Sequence, residues 1–238
     1  MTKITIGLGE NKNVLKACKL FEKEHEDAEI TFAENDDDLV KAILNDDVDG
    51  VVRGSLPASS VMKQLNKIFD DISRATYING KDVEFLLTPV GIDEGATIED
   101  KLKIAIHCGE FLKKQSKTPK IAVMASGRKG DYGRSEEISK SIDESEELTK
   151  LIKENTDFEV KNHYILIEKA IKDNCNVIIA PNGIIGNIIF RSLVLVNSWP
   201  SCGAVTFGID KIYIDTSRDQ NTQGYLRSLK LAYKLANI

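Results

Sequence analysis

The sequence predicts an α/β fold on a mainly parallel but mixed sheet, and three observations predict it. Short apolar runs bounded by glycine, proline and asparagine alternate along the chain with amphipathic stretches of helical period. Two of these runs, IAVMA and NVIIAP, are continuous and of strand length, as in strands covered on both faces. One Asn-Gly pair, Asn79-Gly80, sits between two strand-like runs and adds an antiparallel hairpin.

TKITIGL alternates as a first strand and ends in a Gly-Leu-Gly-Glu-Asn turn, after which Val14, Cys18 and Phe21 recur at helical spacing. EITFA forms a second strand. Asp36 to Asp38 then offer N-caps to a helix bearing Leu39, Val40, Ile43 and Leu44. DGVVRGS gives a third strand, and Ser55 and Pro57 open a helix with a stripe of Val61, Leu65 and Ile68. RATYI and KDVEFLLTPV pair across the Asn-Gly turn. Thr97-Ile-Glu-Asp resembles a capping box, opening a helix that turns Ile98, Leu102, Ile106, Gly109 and Leu112 to the core. KTPKIAVMAS is a turn and a strand. A polar loop, an acidic helix and a second helix through Tyr164, Ile167 and Ile171 follow. CNVIIAP is the next strand, with an apolar helix at 188–196 beyond it. SCGAVTFG and DKIYIDTS close the sheet, and an amphipathic helix over 220–236 carries Tyr225, Leu229 and Tyr233.

The 238 residues are 42% hydrophobic and 29% charged, enough apolar content for a sizeable core in one large domain or two coupled lobes. A formal charge of −5 excludes a surface built throughout for nucleic acid. The charge is unevenly placed: residues 34–49 hold seven acids and one lysine, and residues 131–159 ten acids and four bases, leaving the rest of the chain basic. Cys18, Cys108, Cys175 and Cys202 form no Cys-x-x-Cys pair, so neither a metal site nor a disulfide framework is expected. No run reaches membrane-spanning length, and the expected location is the cytoplasm with reduced thiols.

In an open α/β sheet ligands bind beyond the carboxyl ends of the strands. Those ends read Gly7-Leu-Gly9-Glu10-Asn11, Arg53-Gly54-Ser55, the segment from Ser126-Gly127-Arg128 to Arg134, Pro181-Asn182-Gly183, and Asp215-Thr216-Ser217-Arg218. Glycines let backbone amides approach an anion, and guanidinium forks bind phosphate oxygens in pairs. No P-loop, complete dinucleotide fingerprint, Gly-x-Ser-x-Gly elbow or His-Glu-x-x-His pair is present. His25 is read as solvated, His107 as packed, and His163, next to Asn162, as capping or beginning a helix.

DGVVRGS, FLLTPVGIDEG, the Ser-Gly-Arg segment at 126–134, APNGIIGNIIFRSL and YIDTSRD, in this order, resemble the methanogen marker protein 4 family. That family, also named Mtx subunit X after a methyltransferase, is similar to the phosphate acetyl- and butyryltransferases. It shares their relation to isocitrate and isopropylmalate dehydrogenases. The resemblance implies a two-lobed α/β/α fold, with residues 1–77 and 205–238 in a first lobe, 78–204 in a second, and a cleft between them. It also implies an archaeal homodimer formed through the second lobe. In phosphate acetyltransferases an Asp-x-Ser-Arg motif binds the acyl phosphate, which carries over to Asp215, Ser217 and Arg218 as the catalytic set. Gly186-Asn187 matches a cleft motif of the same superfamily. The acid expected seven positions beyond the motif serine is Gly224 here, which leaves transfer to coenzyme A without its general base; Asp131 and Asp219 are candidate replacements.

The resulting expectation is a transferase that binds an acyl phosphate or phosphoester. Ser217, Arg218 and Asp215 are its catalytic candidates, and Arg53, Gly54, Ser55, Ser126, Gly127, Arg128, Asn182, Gly183, Gly186 and Asn187 its phosphate- or substrate-binding candidates. Coenzyme A and S-adenosylmethionine are both open as cofactors, and neither has a complete motif. The alternatives are a methyltransferase or a subunit partnering a methyltransferase or corrinoid protein, and a non-catalytic ligand-binding protein that keeps the fold.

Overall fold

In the computed structural model, residues 1–80 and 82–238 are described, together with the side chains of these residues apart from Ala58 and Ser59. Two compact units divide the chain: Met1–Ile72 with Ser201–Ile238, and Ser73–Pro200.

The first unit contains β1 (Thr2–Gly7), α1 (Asn13–Glu24), β2 (Ala28–Ala33), α2 (Asp36–Ile43), β3 (Gly50–Val52) and α3 (Ala58–Leu65). The chain returns to it with β9 (Ser201–Phe207), β10 (Ile212–Asp215) and α8 (Thr222–Ala236). Its strands run β2-β1-β3-β10-β9, all parallel except the last pair. The strand closing the chain therefore lies beside β3, with Ile214 level with Val52 and Tyr213 with Val51. One core cluster joins Val51 and Tyr213 to Leu39, Val40 and Ile43 of α2 and to Val61 and Leu65 of α3. Burial at this i, i+3, i+4 spacing is what stabilises such short helices, because isolated eight-residue helices are marginal in water. Elsewhere in the unit α1 packs on α8, where Phe21 meets Tyr233 edge to face.

The second unit contains β4 (Ser73–Asn79), β5 (Glu84–Thr88), α4 (Ile98–Lys114), β6 (Lys120–Met124), α5 (Glu136–Asn155), β7 (Glu159–Tyr164), α6 (Ile167–Lys172), β8 (Val177–Ile179) and α7 (Gly183–Phe190). Its strands run β4-β5-β8-β6-β7, with β4 and β5 antiparallel and the others parallel. The hairpin across Asn79-Gly80 lies wholly inside this unit; Lys81, read as the start of its second strand, lies outside the described residues. The capping box at Thr97 forms as expected, Thr97 accepting from the Asp100 amide at 3.1 Å and donating its own amide to the Asp100 carboxylate at 3.2 Å. No helix among the described residues is long and apolar enough to cross a membrane.

Three local readings are corrected. Tyr164 ends β7 rather than lying in a helix; EVKNHY is too polar to stand out as a strand, yet only His163 of it is buried, as suits the outermost strand of this unit. On α4 the buried positions are Lys101, Ile104, Ala105, Cys108, Gly109 and Leu112, and Ile98, Leu102 and Ile106 are half-buried. The lysine stem packs inward because its ammonium meets Glu144, a pairing that lies 43 residues away in sequence. The apolar helix begins at Gly183, capped by Asn182, and continues as a π-helical turn over Arg191–Val196, none of whose residues is buried.

Asp173 fixes the outer strand by accepting from His163 Nε2 and Lys161 Nζ, each at 3.0 Å, and these bonds, His163 foremost, hold its carboxyl below the usual value of 3.8. A depressed folded pKa stabilises above the unfolded value and is lost as pH falls through the folded one. Acid titration of unfolding should therefore show Asp173→Asn losing stability near neutral pH and converging on the parent protein below pH 3.8.

Candidate functional site

In the first unit the ends of β1, β3 and β10 are laced together. Arg53 is 5% exposed, and its guanidinium donates through Nε to the Asp215 carboxylate and through Nη1 to the Leu56 carbonyl. Asp215 is itself buried. The next residues repeat the link: Thr216 donates to the Gly54 carbonyl at 2.7 Å, and Ser55 accepts from the Gly9 amide at 2.8 Å. Gly54 has φ +62°, and a Cβ there would stand 1.9 Å from the Gly7 carbonyl oxygen, so only glycine lets the two strand ends approach. A Cβ on Gly7 would likewise meet the Arg53 carbonyl at 2.2 Å.

Beyond this interlocked layer the chain turns outward. Ser217 and Arg218 are exposed, and among the described residues no hydrogen bond or ion pair engages the Arg218 guanidinium. The helix following β3, α3, starts without a side-chain cap, whereas Asn11 Oδ1 accepts from the Asn13 amide that opens α1, and Asn35 and Asn221 cap α2 and α8. Uncapped first-turn amides keep their donors and partial positive charge for another acceptor.

The candidates therefore separate by role. Arg53, Gly54, Ser55 and Asp215 are brought together with Ser217 and Arg218, but Arg53 is engaged internally while Arg218 faces solvent. Gly224 lies in the first turn of α8, and a Cβ there would stand 2.2 Å from the Gln220 amide oxygen. The Gln220 side chain thus occupies the place where an acid's side chain would begin.

In the second unit Gly183 and Gly186 seat α7 against the segment after β5, where their Cβ atoms would fall 1.7 Å from the Gly91 and 1.9 Å from the Pro89 carbonyl oxygen. Asn187 donates to the Val90 carbonyl at 3.0 Å, and Asn182 accepts from the Ile185 amide at 2.9 Å. These residues organise the end of β8. After β6, the Ser126 amide donates to Ser141 Oγ at 2.9 Å, Gly127 is buried, and Arg128 is exposed with no hydrogen bond or ion pair at its guanidinium among the described residues. Arg134 and the Arg128 amide both bond Asp131 and hold its carboxyl below the usual range, which weakens it as a base. No cluster of metal-ligating side chains occurs among the described residues.

Three contributors lie outside the sequence-derived set. Lys101, buried, donates to the Pro181 carbonyl at 3.0 Å and so anchors the β8 end. Asn11 stands in a turn the strand-end rule had already marked, and Tyr225 carries a helical stripe signal that conceals its hydroxyl. Only the contact of Asn11 and Tyr225 with the Ser217–Arg218 backbone reveals them.

Removing one partner of a buried ion pair strands the other, at a cost of about 3–5 kcal/mol, against about 0–1 kcal/mol for an exposed pair. Urea unfolding of Asp215→Ala should lie in the first range, and that of Arg134→Ala, whose side chain is 71% exposed, in the second.

No family model matches the chain. It is 39% identical over 234 residues, 94% of each chain, to an uncharacterized methyltransferase of Methanocaldococcus jannaschii. It is 35% identical over 183 residues, 76% of this chain and 67% of the relative, to a protein of Methanosarcina barkeri named "Putative methyltransferase mtx subunit X". Among solved structures, a branched-chain phosphotransacylase from Enterococcus faecalis V583 superposes with TM-score 0.75 at 15% identity, covering 99% of both chains. An isocitrate dehydrogenase from Methylococcus capsulatus gives 0.59 at 11% identity, over 99% of this chain and 86% of that one. The expected α/β fold, with its mainly parallel mixed sheet, is thus the fold of phosphotransacylases and isocitrate dehydrogenases. On its identity to these methanogen proteins along most of its length, the chain belongs to the Mtx subunit X family.

Proposed function

We propose that this protein is a transferase that binds a phosphate-bearing small molecule, an acyl phosphate or phosphoester, at its strand ends. The observation that carries this reading is the exposed, unengaged guanidinium of Arg218 beside the Ser217 hydroxyl, on a turn anchored by the Arg53–Asp215 pair. Arg218 would grip two phosphate oxygens, Ser217 would donate a third bond, and the uncapped start of α3 would add amide donors. Arg53 and Asp215 serve as the foundation of the turn, and Gly54 and Ser55 bind its neighbours. In the second unit Arg128, with Ser126 and Gly127, is a further anion-binding candidate, and Asn182, Gly183, Gly186 and Asn187 shape the loop at the β8 end.

Neither candidate cofactor finds a matching cradle at the positions the sequence marks. Gly7 and Gly54 use their missing side chains to bring strand ends together, and the Gly7–Gly9 turn carries only two glycines of an adenosylmethionine loop and no preceding acid. The place of a base for a coenzyme A thiol is filled by Gln220.

A second reading, a methyltransferase or a methyltransferase-associated subunit of methanogen one-carbon metabolism, is favoured by the names of the relatives. Saturable binding of adenosylmethionine or of a methyl-corrinoid protein would support it. The proposal extends to a homodimer with a second copy of this chain: Ile184, Ile188, Leu195 and Val196 are 59, 59, 55 and 82% exposed on α7 and the turn after it.

Calorimetric titration with inorganic phosphate and acetyl phosphate tests the first reading. Charge-assisted hydrogen bonds of about 1.5–3 kcal/mol predict that Arg218→Ala weakens binding about 10- to 100-fold. Equal affinity in the variant and the parent contradicts it. Light scattering should give twice the chain mass for the parent and the single-chain mass for an Ile188→Glu, Leu195→Glu variant.

A further inference from the structure

The turn that presents Ser217 and Arg218 is exposed, yet its carbonyls are held by two side chains from other elements. Tyr225, fully buried on α8, donates its hydroxyl to the Arg218 carbonyl at 2.7 Å and lies 3.2 Å from the Ser217 carbonyl. Asn11, from the turn after β1, donates through Nδ2 to the carbonyls of Arg218 and Gln220, each at 2.9 Å. The Asn11 amide is itself oriented, since its Oδ1 accepts from the Asn13 backbone at 3.0 Å. Upstream, Arg53 holds Asp215 and Gly54 accepts from Thr216. The turn is thus fixed at both ends and in its middle, and the Ser217 and Arg218 side chains are left outside the arrangement. Among the described residues the Ser217 hydroxyl meets only the Asp219 amide, at a long 3.4 Å.

We propose that Asn11 and Tyr225 are positioning residues, which hold the Ser217–Arg218 turn so that its hydroxyl and guanidinium are presented together to one phosphate group. The inference rests on the phosphate reading for its ligand and on the turn geometry for its mechanism. Neither residue touches the ligand; each lowers the conformational freedom that binding would otherwise have to remove. Burial pushes the Tyr225 hydroxyl up to about 12, so it remains a proton donor throughout the neutral range. Tyr225→Phe deletes that donor and keeps the packed ring.

The test combines amide hydrogen exchange of the 217–220 segment with calorimetric titration of inorganic phosphate, on the full chain. In Tyr225→Phe, which loses one well-placed hydrogen bond, exchange of this segment should quicken about tenfold, and in Asn11→Ala, which loses two, at least as much, while β1, β3 and β10 exchange as in the parent. Phosphate affinity should fall severalfold in both, with the urea midpoint of Tyr225→Phe little changed. Arg218→Ala should weaken phosphate binding about 10- to 100-fold and leave exchange of the turn unchanged. Parent-like exchange and affinity in Tyr225→Phe overturn the inference, and so does quickened exchange throughout the first unit, which marks a role in stability only. If the parent protein binds no phosphate, the phosphate reading fails, and the exchange of the turn still decides whether Asn11 and Tyr225 hold it.

Discussion

A guanidinium removed from water must be matched by acceptors where it stands, and in this protein Arg53 is matched by the Asp215 carboxylate and the Leu56 carbonyl. The pairing joins the end of β3 to the end of β10, two strands 162 residues apart in sequence. Everything proposed for the site hangs from that joint. Thr216 reaches Gly54 because Asp215 is fixed, and the turn bearing Ser217 and Arg218 starts from Thr216. Hydrophobic burial would hold Tyr213 against Val51 without it, but nondirectional packing could not set the orientation of the turn beyond.

The two arginines of the first unit illustrate how one residue type takes two roles on neighbouring strand ends. Arg53 follows a strand whose residues are all buried, and its donors are satisfied inside. Arg218 lies three residues beyond a strand end, in water, with its fork open. Desolvation separates them: a buried guanidinium without partners would cost several kcal/mol, so Arg53 has to be paired, while Arg218 is free to meet a ligand. Gly224 shows the complementary case. The acid that the phosphotransacylase resemblance leads one to expect is replaced by a glycine under the Gln220 side chain, so Ser217 and Arg218 stand exposed with no carboxylate at that position.

Much of this was legible in the residues. Strand ends rich in glycine and arginine, DTSRD above all, mark the residues that meet at the ends of β1, β3 and β10, because strand termini and their turn chemistry are local signals. The hairpin, the capping box at Thr97 and the stripes of α2 and α3 were local too. What the residues could not convey was pairing across long sequence distances. Arg53 reads as a phosphate-binding candidate, and its pairing with Asp215, 162 residues on, shows only in the fold. Lys101 carries no signal of its own, since its partners Glu144 and the Pro181 carbonyl lie 43 and 80 residues away in sequence. β7 escapes because EVKNHY alternates weakly and buries a single residue. Tyr225 escapes for the opposite reason: its apolar spacing explains its burial so well that the hydroxyl goes unread.

The central claim is that Arg218, and not Arg53, receives phosphate. The most direct measurement is the nitrogen-15 spectrum of the arginine side chains during a titration with inorganic phosphate. The account predicts a saturable shift of the Arg218 Nε resonance, with the Arg53 Nε resonance nearly unmoved because its donor is already engaged by Asp215. An unmoved Arg218 resonance at saturating phosphate, or a shift confined to Arg53, would contradict it.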